Sequence, residues 1–230
     1  TETAKLADEH HHVRPGTDAL LLMALVHTLF EEGLVGEGPW RKYSDGLEVI
    51  KDSITGFTPE KVASDVGMDA GVIRDIARSL RRVERAALYG RIGACTQRFG
   101  GLCAWLVYLI NILTDNLDSP GGIMFTNPAV DLLSLAASTG QAGHFDLRRS
   151  RVRGLPEFGG EYPSSVLAEE IDTPGDGKIR ALLTIAGNPA LSSPNGQRLD
   201  RALGTLDFMV SLDMYINETT RHADFILPPT

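Results

Sequence analysis

The sequence predicts an α/β fold in which helices cover a mostly parallel sheet. Short apolar runs typical of buried strands alternate with helical patterns, most clearly in the C-terminal half. Hydrophobic residues make up 43% of the chain, and its 24 glycines suit an α/β protein with many tight loops. The length of 230 residues allows one large domain or two smaller ones.

Three helices are predicted in the first third of the chain, over residues 17–32, from 58 onward, and over 69–80. Thr17 and Asp18 can cap the first helix, and Gly33 is a natural end for it. Pro59 suits the first position of the second helix. Apolar residues recur at helical spacing in these segments, so we expect each helix to face a core.

Residues 86–92 are predicted to form a buried strand that leads into a glycine-rich loop, residues 93–101. An apolar helix to residue 117 follows, and it ends before Pro120-Gly121-Gly122. Its uninterrupted apolar stretch, residues 102–113, contains Asn111 and is shorter than the roughly 18 residues of a membrane span. We therefore interpret it as a buried helix and expect no direct membrane span.

The pattern weakens between residues 125 and 174, which predicts a domain junction near residues 123–128 and a long ordered segment after it. Regular structure resumes with a strand at 179–186, a helix at 195–203 and a strand at 208–213. Residues 225–227 are also strand-like. This alternation favours parallel strands with covering helices.

Charge and cysteine content exclude several classes of function. The net charge of −8 argues against a nucleic-acid partner, because the basic run Arg148, Arg149, Arg151 and Arg153 is only local. Two cysteines, Cys95 and Cys103, are too few for an iron-sulfur cluster or a structural zinc site, although a disulfide remains open. His10-His11-His12 point to alternating faces of an extended segment, so we expect solvated or packed histidines rather than a metal site.

The sequence also contains a short internal repeat. Residues 2–8, ETAKLAD, match residues 218–224, ETTRHAD, with Glu, Thr, a basic residue, Ala and Asp in equivalent places. A chance match is one interpretation. Two duplicated domains that each hold half of a symmetric ligand would also produce it.

Gly187-Asn188-Pro189 and Asp213 follow two predicted strands, where open α/β sheets bind phosphate-containing ligands. Glycine lets the backbone approach a pyrophosphate closely. An ordinary strand-to-helix turn explains the Gly-Asn-Pro sequence equally well.

Asp18 and Gln97 are candidate contacts to a heterocycle. The Asp18 carboxylate either caps its helix or accepts two hydrogen bonds from guanine, an edge that adenine lacks. Gln97 lies in a loop between a predicted strand and a helix, but the loop lacks the GxGxxG spacing of nicotinamide-binding proteins. Gln97 could donate to a heterocycle or be a solvated loop amide.

Six motifs occur in a characteristic order: ETAKLAD, RPGTDALLLMAL, GRIGACTQRFGG, SPGG, AGNPALSSPN and LDMYINETTRHADFILPP. Together they span nearly the whole chain, which resembles the bacterial molybdopterin oxidoreductases that carry two molybdopterin guanine dinucleotides. The resemblance implies two Rossmann-like three-layer α/β/α halves, each incomplete. Residues 1–123 would be the later part of the first dinucleotide-binding domain, and residues 124–230 part of the second, pseudo-symmetric one.

The resemblance also implies roles for particular residues. Near one guanosine end it places Gly16, Thr17 and Asp18. Near the pterins and the metal it places Ile92, Gly93 and Gln97. Against the other dinucleotide it places Gly187, Asn188, Leu212, Asp213, Asn217 and Thr219. No residue of this sequence is expected to ligate the molybdenum or tungsten or to act directly in catalysis.

The resemblance further implies an internal fragment of an oxidoreductase that performs two-electron redox or oxygen-atom transfer on a small-molecule substrate. The 4Fe-4S cluster, the residue that ligates the metal and the remaining domains would belong to other parts of the parent chain, and electron-transfer subunits are possible partners. The fragment alone is expected to be inactive. Two alternatives remain: a non-catalytic scaffold subunit of a respiratory complex, and a thiamine-diphosphate or nucleotide-binding α/β domain. The compartment, cytoplasmic or periplasmic, is left open.

Overall fold

The computed structural model describes residues 1–140 and 145–229, and the chain divides into two compact units. We call Thr1–Asn127 the N-terminal unit and Pro128–Thr230 the C-terminal unit. The assignment of the two parts of the chain to two dinucleotide-binding domains stays a prediction.

The N-terminal unit is helical. Its helices are α1 (Glu2–Leu6), α2 (Asp18–Glu31), α3 (Leu47–Ser53), α4 (Pro59–Val66), α5 (Ala70–Arg82), α6 (Ile92–Cys95) and α7 (Gly100–Leu113), with a 3-10 turn at Pro39–Lys42. The three helices predicted in the first third of the chain are confirmed as α2, α4 and α5. No sheet forms within residues 1–127, all of which the structure describes.

In two of these three helices, the residue at the predicted start caps the helix with its side chain. The Thr58 side chain accepts a hydrogen bond from the Lys61 amide, and the Asp69 side chain accepts one from the Gly71 amide. The Thr17 hydroxyl instead donates to the Arg14 carbonyl, so it does not cap α2.

Helix α2 packs against α4, α5 and α7 to form the core of the N-terminal unit. Each of these helices contributes completely or almost completely buried side chains, among them Leu25, Leu29, Val66, Ile73, Leu106 and Ile110. The predicted apolar helix is buried on one side only, because Trp105 and Tyr108 of α7 are about half exposed, and it ends at Leu113 and not at 117. In the described part of the chain, no helix is long and apolar enough to cross a membrane.

The predicted strand at residues 86–92 is wrong. The segment from Ala86 has no regular secondary structure and no strand partner, and Ile92 already begins α6. Its backbone is held by side chains: Asn111 of α7 accepts from the Leu88 amide at 2.9 Å and donates to the Leu88 carbonyl at 2.8 Å. Asn116 accepts from the Ala86 amide at 3.0 Å. These asparagines satisfy the backbone groups that a neighbouring strand would otherwise bind.

The C-terminal unit contains a three-stranded parallel sheet in the order β3 (Ala181–Ile185), β4 (Phe208–Leu212), β5 (Phe225–Ile226). All three strands were predicted, and their parallel arrangement is confirmed. The connections are α10 (Pro189–Ser192) and α11 (Gly196–Leu203) between β3 and β4, and a 3-10 turn (Thr220–His222) before β5.

Before this sheet, the described residues form α8 (Leu132–Ser138), an antiparallel pair β1 (Phe145–Arg149) and β2 (Pro156–Phe158), a 3-10 turn (Ser164–Val166) and α9 (Leu167–Asp172). The ordered segment predicted after residue 125 therefore has regular structure of its own. Part of it, residues 141–144, lies outside the described residues.

One face of the parallel sheet is covered and the other is open. Met209 of β4 is 1% exposed and packs with residues of α9 and α11, among them Ile171 and Leu199. Apolar side chains of the opposite face are about half exposed: Leu183, Ile185, Phe208 and Phe225. Parallel sheets are normally covered on both faces, so this unit has the character of an incomplete α/β domain.

Candidate functional site

The carboxyl ends of β3 and β4 bring four of the predicted residues to one edge of the parallel sheet. Gly187 and Asn188 follow β3, while Leu212 ends β4 and Asp213 follows it. The Ala186 amide donates to the Leu212 carbonyl at 2.9 Å, so the two loops start side by side. This is the edge at which open α/β sheets bind their ligands.

The first loop has an unusual backbone conformation at Ala186 and free space beside Gly187. Ala186 has a φ of +49°, in the left-handed region that a non-glycine residue adopts only at a cost of about 1 kcal/mol or more. The nearest atom to an added Cβ on Gly187 would be 3.7 Å away and belongs to the chain's own backbone. The space beside Gly187 is therefore free for a ligand to approach its backbone.

Asn188 and Thr219 form the buried part of the site. Thr219 is completely buried, and its hydroxyl donates to Asn188 Oδ1 at 2.7 Å while accepting from the Ala190 amide at 3.0 Å. The other end of the Asn188 amide, Nδ2, donates to Glu218 Oε2 at 2.7 Å. The loop after β3 is thereby fastened to the segment between β4 and β5.

Asp213 and Asn217 shape the second loop. Asp213 accepts from the Tyr215 amide at 3.1 Å through Oδ1 and from Asn217 Nδ2 at 3.3 Å through Oδ2. Asn217 Oδ1 accepts in turn from the amides of Thr219 and Thr220 at 2.9 and 3.0 Å. A half-exposed carboxylate with one partner on each oxygen keeps acceptor capacity for donors on a ligand.

The sequence analysis missed two residues of this network. Glu218 entered only as part of the internal repeat, yet its hydrogen bond from Asn188 lowers the pKa of its carboxyl. Thr220, completely buried, accepts from the Asn217 amide at 2.8 Å and donates to the Tyr215 carbonyl at 2.8 Å. The polar run Asn217 to Thr220, placed directly between two strands, was the available signal for both.

In the N-terminal unit, the structure brings Asp18, Gly93 and Gln97 together. Gln97 Nε2 donates to Asp18 Oδ2 at 2.6 Å and to the Gly93 carbonyl at 2.8 Å. Ile92 begins the same turn, and its side chain is 72% exposed. Asp18 lies at the start of α2, Gly93 lies on α6 and Gln97 follows α6, so the sheet edge that the strand at 86–92 would have supplied is missing.

Gly16 and Thr17 stand next to this group along the chain. Gly16 adopts a φ of +89°, and a Cβ added there would meet no atom within 4 Å. The turn is closed by Thr17, whose amide and hydroxyl both donate to the Arg14 carbonyl. Their predicted contact with a guanosine stays a prediction.

The remaining candidates have simpler roles. Cys95 and Cys103 are both free, and burial raises the pKa of the Cys103 thiol. His11 Nε2 lies 2.9 Å from Glu9 Oε2, and the rings of His10 and His12 contact each other edge to face. No cluster of potential metal-ligating side chains occurs in residues 1–140 or 145–229.

The two copies of the internal repeat differ in local structure. The first forms the exposed helix α1, with no buried residue, whereas the second forms a 3-10 turn that contains the buried Thr220. Asp224 of the second copy accepts from the Met209 amide at 2.8 Å, a contact to β4. Sequence similarity in these seven residues does not impose one conformation.

Comparison with known proteins identifies the family. The family model for molybdopterin oxidoreductases matches residues 1–230. The F420-dependent formate dehydrogenase subunit alpha of Methanocaldococcus jannaschii is 26% identical, with 99% of this chain and 35% of that protein covered. The assimilatory nitrate reductase catalytic subunit of Bacillus subtilis is 27% identical, with 99% and 34% covered.

A solved structure extends the comparison to the fold. Acetylene hydratase from Pelobacter acetylenicus superposes with a TM-score of 0.74 at 18% identity, over 99% of this chain and 35% of that one. The predicted α/β fold class is therefore confirmed. The chain spans about a third of the length of the curated relatives that it matches. Because the family model covers the whole sequence, this chain belongs to the molybdopterin oxidoreductase family.

Proposed function

We propose that this chain is the part of a molybdenum- or tungsten-dependent oxidoreductase that holds the guanine dinucleotide form of molybdopterin. The observation that carries the proposal is the pairing of Gly187 and Asn188 at the end of β3 with Asp213 at the end of β4. In dinucleotide-binding α/β folds, the first of two adjacent parallel strands ends in a phosphate-binding loop, and an acidic residue at the end of the next binds hydroxyls of the ribose.

The residues present suit such a ligand. The free space beside Gly187 allows a phosphate to reach backbone amides, while Asp213 offers carboxylate oxygens to ribose hydroxyls or to the N–H edge of guanine. Asn188 and Thr219 fix the first loop from within, so the loop is organised before any ligand binds. Leu212 and Asn217 belong to the same edge and complete the predicted contact set in this unit.

In the N-terminal unit, we assign Gly16, Thr17, Asp18, Ile92, Gly93 and Gln97 to the other cofactor molecule. Support comes from the contact of Asp18 with Gln97, which joins the two predicted groups of residues into one. When bound, the pterin-held metal supplies two-electron redox or oxygen-atom transfer. The role of this chain is to bind and orient the pterins.

The activity of the whole protein follows as a further part of the proposal. This chain would not turn over substrate alone, because its proposed role is to contact the cofactor, while the metal ligand and the iron-sulfur cluster are expected in other parts of the parent protein. The remaining domains would supply both, and electron-transfer subunits would be its partners. Relatives named as a formate dehydrogenase subunit alpha and as an assimilatory nitrate reductase catalytic subunit support an enzyme over a scaffold. The thiamine-diphosphate alternative has no support from the family match.

Substitution of Asp213 in the full-length protein tests the proposal. Asp213→Ala should weaken retention of the guanine nucleotide roughly tenfold or more, because charge-assisted hydrogen bonds are lost. Asp207→Ala is a matched control, since Asp207 directly precedes the amino end of the same strand. The measurement is the guanine nucleotide released per protein after acid denaturation and desalting. Equal nucleotide content in the wild type and the Asp213 variant would contradict the assignment.

A further inference from the structure

The side-chain amide of Gln97 has a fixed orientation. Both of its near contacts, Asp18 Oδ2 at 2.6 Å and the Gly93 carbonyl at 2.8 Å, are oxygens that can only accept. Only the NH2 group can bridge two acceptors, so the amide cannot be flipped. Its two hydrogens are thereby used, and the carbonyl oxygen Oε1 is left as the one atom of this side chain with hydrogen-bonding capacity for a ligand.

Asp18 is well placed to impose this orientation. It is the first residue of the fourteen-residue helix α2, where the positive end of the helix dipole favours a carboxylate. Asp18 and Gln97 are both half-buried, which shields their hydrogen bond from competing water. The contact ties α2 to the turn that carries Ile92 and Gly93, two segments 79 residues apart in sequence.

Two further contacts support the turn on its inner side: Ala94 packs against the core of the N-terminal unit, and the Cys95 carbonyl lies against Gly100 of α7. The Thr96 hydroxyl donates to the Ile92 carbonyl at 2.8 Å, which closes α6 only on itself. An added Cβ on Gly93 would meet no atom within 4 Å, and Ile92 and Cys95 are exposed. A turn so open on its outer side depends on its anchors for its position.

We propose that Asp18 is a positioning residue: it holds the turn at residues 92–98 and makes Gln97 a pure hydrogen-bond acceptor that selects an N–H donor on the bound pterin. This inference rests on the proposed function for its ligand, a pterin. It adds a positioning role to the predicted guanosine contact of Asp18, whose carboxylate keeps acceptor capacity beside its hydrogen bond with Gln97.

Substitutions at Asp18 and Gln97 can remove the hydrogen bond between them or reverse its direction. Asp18→Ala removes the anchor. Gln97→Glu places two carboxylates against each other, which repel. In the double variant Asp18→Asn with Gln97→Glu, the Asn amide can donate to the Glu carboxylate, so the contact with α2 returns with its donor reversed and only the hydrogen bond to the Gly93 carbonyl stays lost. Asp69→Asn is the matched control, because Asp69 begins α5 of the same unit and touches only its own helix.

Hydrogen–deuterium exchange of residues 92–98 in the cofactor-free full-length protein tests the anchor. We expect about tenfold faster exchange in Asp18→Ala and in Gln97→Glu, slower exchange in the double variant than in Gln97→Glu, and near wild-type exchange in the control. Unchanged exchange in Asp18→Ala would overturn the positioning role. This readout needs no cofactor, so it is independent of the proposed function.

Pterin content of the same proteins after cofactor loading tests the acceptor role. In a further variant, Gln97→Leu removes the acceptor oxygen, so pterin content should fall, whereas Asp18→Asn, whose Oδ1 can still accept from Gln97 Nε2, should retain it. Full pterin content in the Gln97→Leu variant would overturn the acceptor role. If the wild type itself binds no pterin, the proposed function fails and the acceptor role falls with it, while the exchange result stands.

Discussion

Replacement of Asn111 by Leu should detach the segment before α6 from the core of the N-terminal unit. Asn111 is 1% exposed and makes two hydrogen bonds to the backbone of Leu88, one in each direction. Its third bond, to the Val107 carbonyl, is less costly to lose because that carbonyl also belongs to the helix ladder of α7. Two lost bonds at roughly 1 kcal/mol each give about 2 kcal/mol, rising to about 3 or 4 if the Leu88 groups remain dehydrated.

Urea denaturation of the 230-residue chain measures this loss. Both tryptophans, Trp40 and Trp105, lie in the N-terminal unit, so tryptophan fluorescence reports the unfolding of that unit. Tyr108→Leu is the control: it introduces the same residue on the same helix at a side chain that is 53% exposed, and it should change the free energy of unfolding by less than about 0.5 kcal/mol. An Asn111→Leu variant as stable as this control would refute the view that asparagines replace a strand partner here.

Other predictions concern an ion-pair network, a close backbone contact and a buried hydroxyl. Arg74 lowers the pKa of Glu60 from the ordinary value of 4.5 to about 2 by hydrogen bonding, so the stabilisation of the fold by this ion pair is present above pH 4.5 and is lost toward pH 2. The melting temperature of Arg74→Gln should therefore lie below that of the wild type by an amount that shrinks as the pH falls over that range. A constant difference would argue against the ion pair. Gly100→Ala places a Cβ 1.8 Å from a carbonyl oxygen of α6 and should lower the free energy of unfolding by about 1 to 3 kcal/mol. Gly101→Ala, which meets open space, should not lower it. Equal urea midpoints of the two variants would contradict this. Thr219→Val should cost about 1 to 3 kcal/mol and Thr219→Ser much less, as measured by thermal unfolding, and similar losses in both would point to packing rather than hydrogen bonds.

Helix positions were predictable from local signals because their causes are local. Thr58 before a proline and Asp69 before an amphipathic stretch act within three residues, so the starts of α4 and α5 follow directly from the sequence. The strands β3 and β4 were predicted from a weaker signal, because apolar runs joined through a helix favour a parallel pair in one sheet.

The conformation of the unpaired segment before α6 could not be predicted from local signals. Its apolar composition is that of a strand, but a strand needs a partner, and nothing within the segment reveals whether one exists. The structure satisfies Leu88 with Asn111, 23 residues away. Such a contact depends on how α7 packs, which composition and periodicity do not encode.

The candidate site likewise contains one part that could be predicted from the sequence and one part that could not. Gly187, Asn188 and Asp213 could be grouped in advance because parallel strands end at one edge. The hydrogen bond between Asp18 and Gln97 could not, since it joins a helix start to a turn in the absence of any regular register. The sequence analysis found both residues but assigned them to different ends of the cofactor.

The ratio of guanine nucleotide to metal in the purified full-length protein tests the central claim most directly. The proposal that each unit binds one guanine dinucleotide predicts two guanine nucleotides released per atom of molybdenum or tungsten. A metal-containing protein that releases none, or a protein with neither metal nor pterin, would contradict the account.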